Sequence, residues 1–294
     1  MFIILGATGK IGRSTIHELR KAAVPVRAVV RNRAAAGDLQ AMGCEIAVAD
    51  IRDKASLTDA LRNAEVVQVI CPVDSRAEHA EAEMRAAIAA TVDALDAARP
   101  RAVLAISDYG AHLEQDTGIT QLFHTLENDL KRIGLPLTIL RSSEHMENWA
   151  RVARRAIDTG ILPSLHDPVA KKFPTISAPD VGVIAAELLL SADREAPLRI
   201  IHAEGPVRYS AEDMARILAE IVGRQISARA ISPAERVSAL VAGGLSRNYA
   251  GLVATMYDVH NAGLIDAEAG VGEVRLGTTP AKDVLLRLTL PDGG

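Results

Sequence analysis

Short β-branched runs alternate with longer helix-patterned stretches from the start of the chain to about Leu140. The runs are "FIIL", "VPVRAVV", "CEIAVAD", "EVVQVI", "RAVLAIS" and "LPLTIL", and a seventh, "PLRIIH", comes later. Between them lie "RSTIHELRKAA", "SLTDALRN", "AEHAEAEMRAAIAATVDALDAA" and "TQLFHTLENDLKRIG". Near-continuous apolar runs mark strands buried on both faces, and parallel strands need crossover helices. The pattern predicts an α/β protein with a Rossmann-type, doubly wound parallel sheet. Beyond Leu140 the rhythm changes. A helical stretch, "SEHMENWARVARRAIDTG", ends at Gly160, and an irregular, proline-rich "ILPSLHDPVAKKFPTISAPD" follows. From Ser210 the chain reads mostly helical, with one short strand in "QISARAI". This predicts a dinucleotide-binding core over 1–150, completed by 175–205. A smaller, mostly helical C-terminal substrate lobe would comprise 151–174 and 206–294.

Composition narrows the classes. The 294 residues carry 33 basic and 37 acidic side chains, a net charge of -4, which favours neither a nucleic acid nor a membrane surface as partner. Aromatic residues are 3%, too few for a base-stacking platform. The apolar runs are too short for a signal peptide or a membrane span. Cys44 and Cys71 are too few for a disulfide framework and read as reduced thiols in a cytoplasmic protein. No histidine or cysteine spacing resembles a zinc site, so no metal is expected.

Candidate chemistry begins in the first turn. In "MFIILGATGKIGRSTIHELRK" three glycines are spaced G-x-x-G-x-x-G between a strand and a helix. Gly6 suits the tight turn, Gly9 leaves room for a diphosphate, and Gly12 lets the helix approach the strand. Thr8, Lys10 and Ile11 share the loop, and the free N–H groups of the helix start attract phosphate. An NAD site would place an acid at the end of the second strand. Here "AVVRNR" puts Arg31 and Arg33 there, with Lys10 and Arg13 near the loop. Arg31 directly at the strand end suits the 2′-phosphate of NADP(H). Asp50, ending the third strand, and Ile51 would face the adenine. Cys71 and Pro72, in "ICPVD" after the fourth strand, would lie under the cofactor. Cys71 reads as a packing residue, because nothing near it in sequence lowers its pKa.

The blocks "GATGKIG", "AVVRN", "SDYGAH", "GLPLTILRSSEHMENW", "ISAPDVG" and "EGPVRYSAEDMARILAEIVGR" follow one another as in NmrA-like proteins, atypical members of the extended short-chain dehydrogenase superfamily. The resemblance spans nearly the whole chain. With "TMYDVHNAGLID" it is closest to the bacterial quinone-oxidoreductase and triphenylmethane-reductase branch. It implies a Rossmann core with a C-terminal substrate lobe, and either NADPH-dependent reduction of quinones or dyes or NADP sensing without turnover. It also places the superfamily's active-site serine at Ser107. The Tyr-x-x-x-Lys pair of carbonyl-reducing relatives is missing: Leu113, Asp213, Val253 and Asn261 stand four residues after the four tyrosines. Members of the family often carry a lysine or histidine four residues before a glutamate in the helix after the fifth strand. With Glu127 as that glutamate the position holds Phe123, and His124 is one residue off.

His124 and Glu127 share a helical face, so His124 is a candidate proton donor, with a surface or capping role as the alternative. Tyr109, just after the fifth strand, is a candidate for contact with nicotinamide or substrate, or for packing. Glu144 and His145 are weaker candidates for the substrate side, near Asn148 and Trp149. A quinone-like acceptor accommodates the missing pair. It is already electrophilic, and its reduced form spreads charge, so the protein must chiefly hold two flat molecules together. The sequence therefore predicts an NADPH-dependent oxidoreductase of a conjugated small-molecule acceptor, with a homodimer left open. The alternative is a dinucleotide-binding redox sensor.

Overall fold

The computed structural model describes residues 1–71 and 74–289. The chain starts β1 (Phe2–Ile4), α1 (Lys10–Lys21), β2 (Val26–Val30), α2 (Gly37–Ala41) and β3 (Glu45–Val48). It continues with α3 (Lys54–Ala60), β4 (Val66–Val69), α4 (Ala80–Ala98), β5 (Ala102–Asp108), α5 (Ile119–Arg132) and β6 (Leu137–Ser142). Then come β7 (Glu144–His145), α6 (Ala150–Thr159), β8 (Ile161–Ser164), β9 (Thr175–Ile176), α7 (Ala178–Leu190) and β10 (Leu198–Glu204). The last elements are α8 (Ala211–Val222), β11 (Ser227–Ala230), α9 (Pro233–Ala242), α10 (Arg247–Asn261), β12 (Glu273–Leu276) and α11 (Ala281–Thr289).

Eight strands form one parallel sheet in the order β12-β10-β6-β5-β4-β1-β2-β3. All seven runs picked out by pattern are in it. Their continuous apolarity has the expected cause: β1, β4 and β6 are buried at every position. One face packs on α1 and α7 through Ile16, Leu19, Val181 and Leu188. The other packs on α3, α4 and α5 through Leu57, Ile88, Leu95 and Leu126. The strand order reverses between β1 and β4, and the crevice beyond their carboxyl ends is where such sheets bind ligands.

The structure departs from the pattern in two places. The stretch read as helical from "SEH" begins extended: β7 pairs with β9, and Thr175 Oγ1 donates to the Glu144 carbonyl at 2.7 Å. A tertiary partner overrides the local period there, and the regular helix starts only at Ala150. At the far end of the chain, β12 joins the main sheet beside β10. Its four residues are mostly exposed, so it leaves no apolar run to read. Cores built on α6, α8 and α11, and on α9 and α10, cover the carboxyl side of the sheet.

The motif blocks meet here. Glu147 of "MEN" accepts from Ala178 N at 2.9 Å and Ser177 Oγ at 3.2 Å, which ties it to the start of α7. Asp180 of "DVG" accepts from Thr279 N at 2.8 Å and Oγ1 at 2.7 Å. A Cβ on Gly182 would lie 2.5 Å from the Ile11 carbonyl oxygen, so α7 rests directly on α1. No described helix is long and apolar enough to cross a membrane.

Candidate active site

The glycine loop has three distinct geometries. Gly6 has φ +68°, and a Cβ there would meet Ile70 Cγ2 at 2.3 Å. A Cβ on Gly12 would lie 2.4 Å from the Gly6 carbonyl oxygen and 2.9 Å from Ala7 Cα, so α1 is seated directly on the turn. Gly9 differs. Its φ of -77° and ψ of 165° suit any residue, and a Cβ would meet only the Gly6 oxygen, at 3.3 Å. The fold does not demand glycine there. What a side chain would fill is the open space before the α1 N-terminus, where no side chain caps the helix and no acid occupies the first turn. Thr8, Gly9 and Lys10 are exposed around it. Such a cradle fits a dinucleotide diphosphate.

The basic cluster resolves into unequal members. Arg13 is held by Asp38 and by the Thr8 carbonyl, and Arg33 reaches the Ile46 carbonyl at 3.3 Å. Arg31 is exposed at the end of β2 and has no ion pair among the described residues. Asp50 lies two residues past β3, not at its end. Its carboxylate takes the Arg52 N–H at 2.9 Å and the Arg52 guanidinium, whose hydrogen bond holds it below its ordinary pKa. Ile51 is partly buried beside it.

Beyond the loop a cavity of about 410 Å³ runs from Ile11, Ile70 and Cys71 to the C-terminal lobe. Cys71 is 3% exposed and burial pushes its thiol up to about 12, so it packs and does not react. Pro72 lies outside the described residues. Ser107 lines the cavity, but its hydroxyl donates to Glu127 Oε1 at 2.6 Å. Glu127 in turn grips the buried Arg141 at 2.8 and 2.7 Å, and Arg141 also meets Glu268. Burial alone would raise the Glu127 pKa, yet the Arg141 contacts outweigh it and hold the carboxyl below its usual range.

The proton-donor candidate His124 and the contact candidate Tyr109 are both engaged elsewhere. His124 is not among the residues lining the cavity; Phe123 is. One step along a helix turns a side chain by about 100°, so only one of the two can face inward. The His124 ring spans a loop and its own helix, with Nδ1 2.9 Å from the Ala111 oxygen and Nε2 2.8 Å from Asn128 Nδ2. An Nδ1–H donor and an Nε2 acceptor satisfy both contacts, leaving no ring nitrogen for a substrate. Tyr109 borders the cavity, but its hydroxyl donates to Glu204 Oε1 at 3.1 Å, and Arg208 pairs with the same carboxylate. Burial first, then Glu204, raises the phenol pKa further. Tyr109 is therefore a packing residue by geometry, edge-on to His202 at 5.5 Å.

The cavity also gathers residues the sequence reading left out. Asp108, the last residue of β5, lines it, and its Oδ2 accepts from Thr120 Oγ1 at 3.1 Å. Burial, with smaller contributions from Glu144 and Glu127, pushes this carboxyl up to about 7 against the bonds from Thr120 and the Tyr109 N–H. Its signal was its place: an acid at the carboxyl end of a central strand. Glu144 and His145 do line the cavity. Glu144 accepts from Tyr257 Oη at 2.9 Å, and its other oxygen lies 2.9 Å from His166 Nε2. Burial would raise its pKa, but His166, His260 and Tyr257 hold it low. His166 stacks on Phe173 at 3.6 Å and lies near Trp149, while burial and His166 push His260 down to about 4. Facing these polar groups are apolar walls from Phe123, Leu245, Val253 and Met256.

Comparison with known proteins supplies the context for this geometry. The model of the NmrA-like family matches residues 1–276. The chain is 28% identical over 259 residues to quinone oxidoreductase 2 of Escherichia coli (strain K12), covering 86% of each. It is 24% identical over 271 residues to the NAD(P)H azoreductase of Xenophilus azovorans, covering 90% of this chain and 91% of that one. Among solved structures, the triphenylmethane reductase of Citrobacter sp. with NADP(H) superimposes with a TM-score of 0.82 at 19% identity, over 98% of this chain and 100% of that one. The E. coli NADPH-dependent quinone oxidoreductase with NADPH does so with a TM-score of 0.81 at 24% identity, over 98% and 99%. These two likenesses establish the shared fold.

Proposed function

The chain belongs to the NmrA-like family, and on that premise we propose that it is an NADPH-dependent oxidoreductase acting on a quinone-like or other conjugated small-molecule acceptor. The observation that carries this reading is the continuity of the cavity. Ile11 of the glycine-loop helix and Ile70 after β4 line the same space as Trp149, Tyr257 and His260 of the C-terminal elements. Two flat molecules held in one cavity, with water displaced by apolar walls, is what direct reduction requires. Two relatives carry names of this class, a quinone oxidoreductase and an azoreductase.

The residues divide the work. Gly9, with Thr8, Lys10 and Ile11, leaves the α1 N-terminus open for the diphosphate. Arg31, exposed and without an ion pair among the described residues, meets the 2′-phosphate, and Asp50 and Ile51 flank the adenine end. NADPH, when bound, supplies the hydride. Ser107, Glu127 and Arg141 keep the carboxyl end of β5 in place through buried hydrogen bonds. Phe123 and Met256 present apolar faces to an acceptor. The division into a 1–150 core completed by 175–205, and a substrate lobe from 151–174 and 206–294, is the domain reading we adopt, with β12 lending the sheet one strand.

The test is NADPH absorbance in the presence of a panel of quinones, azo dyes and triphenylmethane dyes. Steady oxidation with at least one acceptor supports the proposal. Tight NADPH binding with no oxidation by any acceptor refutes it and favours a redox sensor.

A further inference from the structure

We propose that Asp108 is the proton donor of this site, delivering a proton to the acceptor oxygen or nitrogen as the acceptor is reduced. The assignment rests on the reductase reading above. It follows from position and from elimination. Asp108 ends the central strand β5, its side chain lines the cavity, and only one of its oxygens takes a side-chain hydrogen bond, from Thr120. Among the other groups of the cavity, Tyr257 is bound to Glu144, His166 lies against the same carboxylate, and His145 meets Ser142. His260 is pushed down to about 4 and so carries no proton to give near neutrality, and burial raises Tyr249, which makes it the weaker acid. Tyr109 is bound to Glu204, His124 does not line the cavity, Phe123 holds the helical position, and Ser107 is bound to Glu127. A tyrosine–lysine pair does not exist in the sequence.

The step balances. The acceptor gains two electrons and one hydrogen as hydride from NADPH. The O–H bond of the Asp108 carboxyl breaks, and a new O–H or N–H bond forms on the acceptor, neutralising the charge the hydride leaves there. Asp108 remains as carboxylate and recovers its proton from solvent. For this it must hold a proton near neutral pH, which an ordinary aspartate does not. Its surroundings supply the reason. It is half-buried in the cavity wall, where Glu144 on β7 and Glu127 on α5 add negative charge; Tyr249 and Tyr257 on α10, His145 on β7 and Arg151 on α6 line the same cavity. Those conditions push the carboxyl up to about 7. A carboxylic acid kept neutral so that it can donate is a recognised solution in other enzyme sites.

Two variants and two kinds of measurement test this. Asp108→Asn keeps the shape and removes the proton. At a pH below 7 it should lower kcat by about 10²-fold or more with acceptors whose reduced form must be protonated, while NADPH affinity stays unchanged. The parent rate should fall as pH rises through about 7, and Asp108→Asn should lose that limb. Thr120→Val removes a hydrogen bond that favours the carboxylate, so its limb should move to higher pH. On the cofactor-free protein, infrared spectra of the carboxyl C=O band should show one group losing its proton near neutrality, and that band should vanish in Asp108→Asn. If the parent turns over and Asp108→Asn keeps its rate and pH profile, the assignment is wrong and the reductase reading stands. It is equally overturned if the infrared band is absent from the parent, or if the Thr120→Val limb does not move. If the parent itself oxidises no NADPH with any acceptor, the reductase reading fails first.

Discussion

Gly9 and Gly12 lie three residues apart in one turn, and the structure predicts opposite consequences for replacing them. A Cβ on Gly12 would sit 2.4 Å from the Gly6 oxygen and 2.9 Å from Ala7 Cα, both backbone atoms that cannot swing aside. Gly12→Ala must push α1 off the turn by about 1 Å, an overpacking that typically costs about 1–3 kcal/mol. At about 2–4 °C per kcal/mol for a chain of this size, its melting temperature should fall by about 2–12 °C. Gly9→Val meets no backbone strain and only one contact, at 3.3 Å. As an N-cap change it should cost about 1 kcal/mol or less, so the melting point should drop by at most about 4 °C. NADPH reverses the ranking. At a hundred times its Kd a ligand adds about 2.7 kcal/mol, which raises the parent's melting temperature by about 5–11 °C. Gly9→Val should show no such rise, because the branched side chain fills the diphosphate space. Differential scanning fluorimetry with and without NADPH reads both effects. If Gly9→Val keeps the NADPH-dependent rise, the loop is not the diphosphate site. If Gly12→Ala melts with the parent, the close seating of α1 is wrong.

Arg31→Ala should weaken NADPH roughly tenfold to a hundredfold, the loss of one charge-assisted contact, and leave NADH nearly unchanged by calorimetry; equal losses would remove Arg31 from the 2′-phosphate. Arg141→Met takes both guanidinium bonds from the buried carboxylate of Glu127, leaving it Ser107 and Lys131 at 3.6 Å, and should cost about 3–5 kcal/mol in urea denaturation. The double variant with Glu127→Gln should recover part of that, and strict additivity of the two would show the pair is not coupled. His124→Ala should lose about 1–2 kcal/mol of stability, from its two hydrogen bonds, with turnover within a few-fold of the parent; a hundredfold loss of kcat would return it to the chemistry. The Asp108 carboxyl also predicts a stability profile. Its folded pKa of about 7 lies above the ordinary 3.8, so between these values the folded state holds a proton that the unfolded chain releases. Stability from this group should therefore fall as pH rises from about 4 to 7, and Asp108→Asn should flatten that part of the melting curve.

The sequence by itself determined the sheet and the glycine loop. Strands buried on both faces are largely apolar, so seven of the eight strands are visible as near-continuous runs, including β3, although it is half-buried to exposed. The glycine spacing is legible for a related reason: Gly6 answers the positive φ of its own turn, Gly12 answers contacts with Gly6 and Ala7, and Arg31 stands where a strand simply ends. What the sequence could not decide is direction and company. His124 and Phe123 are neighbours on one helix, and only the packing of α5 on the sheet decides that Phe123 faces the cavity. Tyr109 looked available until β10 brought Glu204 against its hydroxyl from 95 residues away. Asp108 was one acid among many, and its raised pKa depends on burial and on Glu144, a residue of another strand. The β7 segment has a helical pattern and is extended because β9 pairs with it. Periodicity and turn chemistry are local and survive in one dimension. A hydrogen-bond partner, a shift in proton affinity and the inward face of a helix are set by atoms far apart in the chain, so the tertiary structure alone decides them.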